Sequence, residues 1–129
     1  VMQCALESAE INKNDIDLIN AHGTSTPMGD VIEAKAIEEV FGKETPVHST
    51  KSMIGHTVGA AGGNEAIAAI LAIQKGIIHP SINVFNLDPE ININVVANNP
   101  LEQKVDTVIS NSFGFGGQNS SIVLSRFVD

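Results

Sequence analysis

The chain has 129 residues, 43% of them hydrophobic and 17% charged, which is enough for one domain with its own core and too apolar for a disordered segment. Its 7 Lys and Arg against 15 Asp and Glu leave a net charge of −8, which argues against nucleic acid or an anionic membrane surface as the main partner, since both need a basic face. The longest apolar run, Ala66–Ile73, is far too short to span a bilayer; the single Cys4 excludes an internal disulfide and fits a reducing compartment; and the lack of Trp and Tyr leaves no aromatic platform for bases.

No targeting leader is visible ahead of Val1. Helical periodicity begins at once, so the chain is expected to be a piece of a longer fold. Met2–Ala9 reads as a short helix with Met2, Ala5, Leu6 and Ala9 on one face. A polar turn at Ile11–Asp15 leads into a compact strand, Ile16–Ala21. It runs into His22-Gly23-Thr24-Ser25-Thr26-Pro27, where Thr26 and Pro27 look like an N-cap and first helical residue. The helix that follows reaches Phe41 and stops at Gly42. Ile32, Ala36, Ile37, Val40 and Phe41 are expected inward, with Glu33, Lys35, Glu38 and Glu39 outward.

Pro46–His48 is a very short strand and Ser49–Gly55 a loop. A long helix is expected from about Thr57 to Lys75, closed by Gly76. Its apolar second half, Ala66–Ile73, has no polar face and should be buried on all sides. Ile77–Lys104, with Pro80, Pro89, Pro100 and many Asn, reads as an extended excursion with little regular structure. Val105–Asn111 and Ser120–Phe127 are strands joined by the glycine-rich Phe113–Asn119 connection. The order of elements points to an α/β fold with a mixed sheet, parallel crossovers first and an antiparallel pair last.

His22 is placed where a parallel strand ends before a helix, the position at which active sites of open α/β sheets collect. A turn histidine bonded to backbone is the plain alternative, against which Gly23 and the Thr24-Ser25-Thr26 run tilt the balance, because small hydroxyl residues at a helix start hold polar ligand groups. His56 opens the apolar helix, where a neutral imidazole can donate one N–H toward a carbonyl or enolate oxygen. Glu65 on that helix needs a partner, and Lys51 can supply it, either in the chemistry or as a structural ion pair. Thr50-Lys51-Ser52 lacks the glycine of a phosphate loop, and Phe113-Gly114-Phe115-Gly116-Gly117 opens no helix, so both nucleotide-binding readings fail. The latter segment suits either backbone N–H groups presented to a ligand beside a movable phenyl wall, or a tight turn with two buried Phe. His48 and His79 lack ligand spacing, and no metal is expected.

Taken together, Asn20–Pro27 with Gly29-Asp30, Lys51–Gly62 and Asn111–Gly117 resemble, in order, the C-terminal signature of the elongating β-ketoacyl-acyl-carrier-protein synthases, type I/II. The resemblance implies a thiolase-like fold, of which residues 1–129 would be the C-terminal part, with a mixed sheet and a buried central helix. It implies decarboxylative Claisen condensation of malonyl-acyl-carrier protein with an acyl-enzyme thioester. His22 and His56 match the histidines that polarise the malonyl thioester and stabilise its enolate. Lys51 matches the supporting lysine, Glu65 its carboxylate partner, and Phe115 the gating phenylalanine whose N–H serves the oxyanion hole. Thr24 and Thr26 match the threonines that hold the phosphopantetheine arm, and Gly116 and Gly117 complete the substrate-binding set.

The nucleophilic cysteine of the family belongs to its first half and is not matched by Cys4. Asn64 departs from the small or apolar residue usual before the glutamate, which touches helix packing more than chemistry. The resemblance also implies acyl carrier protein as partner, no cofactor beyond the phosphopantetheine it carries, a homodimer as the full-length protein, a cytoplasmic location with an organelle open, and no nucleic-acid or membrane partner. His56 argues against starter-type synthases, the lack of a second cysteine against degradative thiolases, and Gly23-Thr24-Ser25-Thr26 against modular polyketide ketosynthases. A catalytically silent chain-length partner subunit and a polyketide synthase ketosynthase are the alternatives, and a non-enzymatic acidic module is the rival from another class.

Overall fold

The computed structural model describes residues 1–127. Helix α1 (Met2–Ala9) is followed by strand β1 (Leu18–Asn20), helix α2 (Pro27–Phe41) and strand β2 (Val47–His48). A four-residue helix α3 (Lys51–Ile54) precedes the long helix α4 (Ala61–Lys75). Strands β3 (Ile77–Ile78) and β4 (Leu101–Glu102) bracket the excursion, and β5 (Thr107–Phe113) and β6 (Asn119–Ser125) end the chain.

The main sheet has the order β2-β1-β5-β6. β1 runs parallel to both β2 and β5, while β6 is antiparallel to β5. The mixed sheet read from the sequence is therefore present, with β1 and β5 at its centre. Successive side chains of a strand face opposite ways, and both faces of these strands are covered. Ile19, Val47 and Ile109 pack with Met2 and Leu6 of α1 and Ile37 and Phe41 of α2. Leu18 and Val108 pack on the other side with Ala69, Ala72 and Ile73 of α4. That is why β1 is wholly apolar up to Asn20.

α1, and the start of α2 at Pro27, lie where the periodicity and the proline set them, and Gly42 ends α2 with a positive φ of 83°. Thr26 has the extended backbone of an N-cap but its side chain makes no capping bond. The orientation of α2 corrects the sequence reading: Glu33 is buried and Ile32 is exposed. Ser49–Gly55 is not all loop, since α3 forms within it. The long helix begins at Ala61 rather than Thr57, after a 3-10 turn at Val58–Ala60 in which Val58 has a φ of 51°. A β-branched residue rarely adopts that left-handed conformation, and it breaks the helical run.

Burial of α4 on every side is also corrected. Ala61, Glu65, Ala69, Ala72 and Ile73 face the sheet, whereas Ile67, Ile70 and Leu71 are exposed. Nothing among the described residues covers that second face. The excursion is more ordered than its Pro and Asn content suggests. β3 and β4 pair antiparallel at its base, Val95 bridges Val47, and Ala97 bridges Ser81. Among the described residues no helix is long and apolar enough to cross a membrane.

Candidate active site

The C-terminal ends of β1, β2 and β5 point the same way, and the residues just beyond them form one polar cluster. Three residues past β1, at Gly23, the chain turns sharply. Gly23 has a φ of 43°, and a Cβ there would lie 2.8 Å from the Ser49 side chain, whose hydroxyl donates to the Gly23 carbonyl at 2.9 Å. Only glycine fits this turn without displacing Ser49. The turn leaves two backbone N–H groups unpaired within the sheet, and a buried carboxylate takes both. His22 N donates to Glu33 Oε1 at 2.8 Å and Gly23 N to Oε2 at 2.9 Å. Asn111 Nδ2 of β5 adds a third bond to Oε1 at 3.2 Å.

Burial raises the Glu33 pKa above its ordinary value, while the N–H groups of Gly23 and His22, the Asn111 amide and the Lys51 charge pull it back. Glu33 thus fixes the backbone that carries His22. Sequence reasoning missed it because on a helical wheel it falls among Lys35, Glu38 and Glu39. The signal available was the glycine turn, whose free N–H groups require an acceptor, here supplied nearly two turns into the next helix.

The His22 ring lies 5.4 Å from the His56 ring, edge to face at 87°, and 5.7 Å from the Phe113 ring. Its Nδ1 is buried without a hydrogen-bond partner. Burial first, then the positive charge of Lys51 and the charge on His56, lower its pKa to about 4. His22 is therefore neutral at pH 7. His56 sits on the exposed turn between α3 and α4. The Val58 N–H donates to its Nδ1 at 3.2 Å, so Nδ1 is the acceptor and the ring proton is on Nε2. The left-handed backbone of Val58 is what turns that N–H back onto the ring. Asn64, two turns below, donates to Thr57 Oγ1 at 3.1 Å, so this departure from the family pattern braces the same turn.

Lys51 Nζ and Glu65 Oε1 pair, with side-chain exposures of 5% and 1%. A buried pair of this kind is far more costly to break than to keep. Thr24 and Thr26 lie together at the start of α2, their hydroxyls 3.3 Å apart. The β5–β6 connection makes a 3-10 turn at Phe115–Gly117, with Gly116 and Gly117 at φ of 79° and 82°. Of the two readings of this segment, the tight turn with two buried Phe does not hold, because the Phe115 side chain is fully exposed. A cleft of about 780 Å³ opens between α2 and segment 81–95. Its lining includes Glu33, Lys51 and His56 but not His22, so only one of the two rings faces it. His48 and His79, which the sequence left without context, lie side by side. Among the described residues no three His, Cys, Asp or Glu side chains converge as a metal site would require. Cys4 is exposed on α1.

This chemistry and this topology have known counterparts. Residues 1–85 match the family described as Beta-ketoacyl synthase, C-terminal domain, and the chain belongs to that family. It is 50% identical over 125 residues to 3-oxoacyl-[acyl-carrier-protein] synthase I, chloroplastic, of Hordeum vulgare, covering 95% of this chain and 27% of that protein. It is 48% identical over 131 residues to 3-oxoacyl-[acyl-carrier-protein] synthase 2 of Coxiella burnetii, covering 99% of this chain and 32% of that protein. Among solved structures, the ishigamide ketosynthase/chain length factor is similar with a TM-score of 0.95 at 39% identity, over 98% of this chain and 32% of the other. A type II polyketide ketosynthase solved in complex with its acyl-carrier protein gives 0.92 at 34% identity, over 97% and 31%. The fold is thus that of the thiolase-like ketosynthases. The chain spans about a third or less of the length of these relatives.

Proposed function

We propose that this chain supplies the enolate-stabilising part of a condensing enzyme that makes 3-oxoacyl-acyl-carrier protein. The observation that carries the reading is the pair of imidazoles 5.4 Å apart, one neutral through burial and the other with its Nδ1 filled by a backbone N–H. His22, held neutral, and His56, whose ring proton is on Nε2, can each present an N–H to a thioester oxygen. Loss of carbon dioxide from a malonyl thioester leaves an electron pair that delocalises onto the thioester oxygen. N–H donors aimed at that oxygen lower the barrier, each by roughly 2.7–4 kcal/mol. The enolate carbon then attacks an acyl thioester, a carbon–carbon bond forms, and a cysteine thiolate leaves.

That cysteine is placed outside these residues, since Cys4 is an exposed helix residue with no charged partner bonded to it. The N-terminal half of the enzyme is accordingly placed in another part of the full-length protein, and the 129-residue chain by itself should not condense. In this reading Lys51 lowers the proton affinity of His22, and Glu65 holds Lys51. Thr24 and Thr26 bind the phosphopantetheine arm of acyl carrier protein. Phe115 with Gly116 and Gly117 forms a movable wall whose backbone N–H groups face the acyl thioester. The full-length protein would work as a homodimer, in the cytoplasm or an organelle, with no cofactor of its own. A chain-length partner subunit is the second reading, favoured only by the similarity to a ketosynthase/chain length factor pair; the intact His22, His56 and Lys51 favour catalysis.

The test uses the full-length protein and separates the half-reactions. His22→Ala and His56→Ala should each cut malonyl decarboxylation by about 10²–10³-fold while acyl loading of the cysteine survives. An equal fall in acyl loading for both variants would overturn the division of roles. Absence of any decarboxylation in the parent would leave the silent-partner reading standing.

A further inference from the structure

Asn111 of β5 has no exposed surface, and both polar atoms of its amide are engaged. Nδ2 lies 3.2 Å from Glu33 Oε1 and 3.4 Å from Met2 Sδ, and Oδ1 lies 2.7 Å from Ser121 Oγ. A carboxylate oxygen and a thioether sulfur only accept. Two acceptors against the same amide atom require that atom to be the NH2 group, so the neighbours of Asn111 fix its orientation. Its carbonyl oxygen then faces Ser121, and the serine hydroxyl, able to donate or accept, donates. One amide thus joins α1, α2 and β6 to β5.

The far end of this arrangement is His22. Glu33 Oε1 is shared, since it accepts both from Asn111 and from the His22 N–H at 2.8 Å. The Gly23 N–H uses the other oxygen, Oε2, at 2.9 Å. Among the described residues Asn111 is the side chain that donates to Glu33. Without it, the carboxylate would be held only by the two backbone groups that it serves to hold.

Ser121 stands directly opposite Asn111 in the antiparallel ladder, with two residue pairs, Ser112 with Ser120 and Phe113 with Asn119, between it and the turn that carries Phe115. Side chains at such opposed positions are near enough to interact directly. A half-buried serine on a strand can be a plain sheet contact. What speaks for more is its partner: the Asn111 carbonyl oxygen is buried, and without the serine hydroxyl it loses its donor, which a buried polar group rarely tolerates.

We propose that Ser121 is a positioning residue for His22: its hydroxyl holds the Asn111 amide, the amide holds Glu33 Oε1, and Oε1 holds the backbone N–H of His22. The order of bonds stands on geometry alone, and its effect on turnover rests on the condensing role proposed for His22. β6 thereby belongs to the site through two intervening side chains.

Ser121→Thr, Ser121→Val and Ser121→Ala in the full-length protein test it. Threonine keeps the hydroxyl and valine has nearly the same shape without it, so the two separate the hydrogen bond from packing. In the Val and Ala variants, amide exchange at His22 should speed several-fold more than at Gly23, because the two N–H groups use different oxygens. Malonyl decarboxylation should lose about 3–10-fold in kcat, the factor that a hydrogen bond of ordinary net strength corresponds to, with KM and acyl loading unchanged. Ser121→Thr should restore both readouts. His22 exchange at the parent rate in the Val variant, or equal acceleration of His22, Gly23 and the β6 amides, overturns the proposal. So does a changed exchange ratio with kcat at the parent value. A parent without decarboxylation would remove the condensing role of His22, and the exchange ratio would still decide the role of Ser121.

Discussion

The candidate site has a floor and a rim, and they are built on opposite rules. On the floor, Glu33, Asn111, Lys51 and Glu65 are buried, and each has a partner fixed by geometry. On the rim, His56, Val58 and Phe115 are exposed and ride on turns with positive φ. Few contacts hold the rim, and its backbone conformations are the less populated ones. A polar group buried without its partner is expensive, so the floor cannot shift. An exposed turn with little packing behind it opens at low cost. The difference assigns positioning to one region and movement to the other.

The contrast breaks most sharply at the buried ion pair. Glu65→Ala leaves Lys51 charged and alone in the interior and should cost about 3–5 kcal/mol, read as a fall in the denaturant midpoint. A loss under about 1 kcal/mol would mean that solvent reaches the pair, and that the floor is as open as the rim. Lowering pH probes the floor without mutation. The folded pKa values of His48, about 3, and His22, about 4, lie below the ordinary 6.5. The unfolded chain then binds more protons, so stability is full above the ordinary value and is lost as pH falls toward the folded values. His48 alone contributes a slope of up to about 1.4 kcal/mol per pH unit. His48→Asn should flatten the acid limb of a stability–pH curve; an unchanged limb would show that His48 does not stay neutral when folded.

Glu33→Ala removes the acceptor of two backbone N–H groups and should cost about 1–3 kcal/mol. It should also loosen the His22 turn, visible as faster exchange of the His22 and Gly23 amides; unchanged exchange would deprive Glu33 of its positioning role. Phe115→Ala sharpens the comparison from the other side. The ring contacts solvent, so stability should move by less than about 0.5 kcal/mol, while condensation by the full-length protein falls. A large loss of stability would place Phe115 in the core and remove it from the rim.

Much of this division was legible in the residues. Pro27 and Gly42 bound α2 because proline suits a first turn and glycine a left-handed stop, and the Val105–Asn111 and Ser120–Phe127 runs declared a hairpin. The three motifs pointed to one polar cluster because each follows a strand or opens a helix. What stayed hidden depends on contacts made across the chain. Glu33 looks solvent-facing until the N–H groups of His22 and Gly23 are known to need it. The apolar Ala66–Ile73 run suggests complete burial, yet burial is decided by what lies opposite, and Ile67, Ile70 and Leu71 have nothing described against them. The His48–His79 pairing crosses 31 positions and follows no spacing rule.

The register of the central strands bears on how the molecule is made. β1 lies beside β5, with Leu18 opposite Val108 and Asn20 opposite Ser110, a separation of 90 residues between the last two. During synthesis α1, β1 and α2 emerge long before the strand that completes their shared core. Contacts at such long range form slowly, and apolar surface exposed meanwhile favours association with other chains. In a ribosome-bound chain halted anywhere between α4 and β5, residues 1–75 should therefore be protease-sensitive, and they should acquire resistance in one step once β5 and β6 have cleared the exit tunnel.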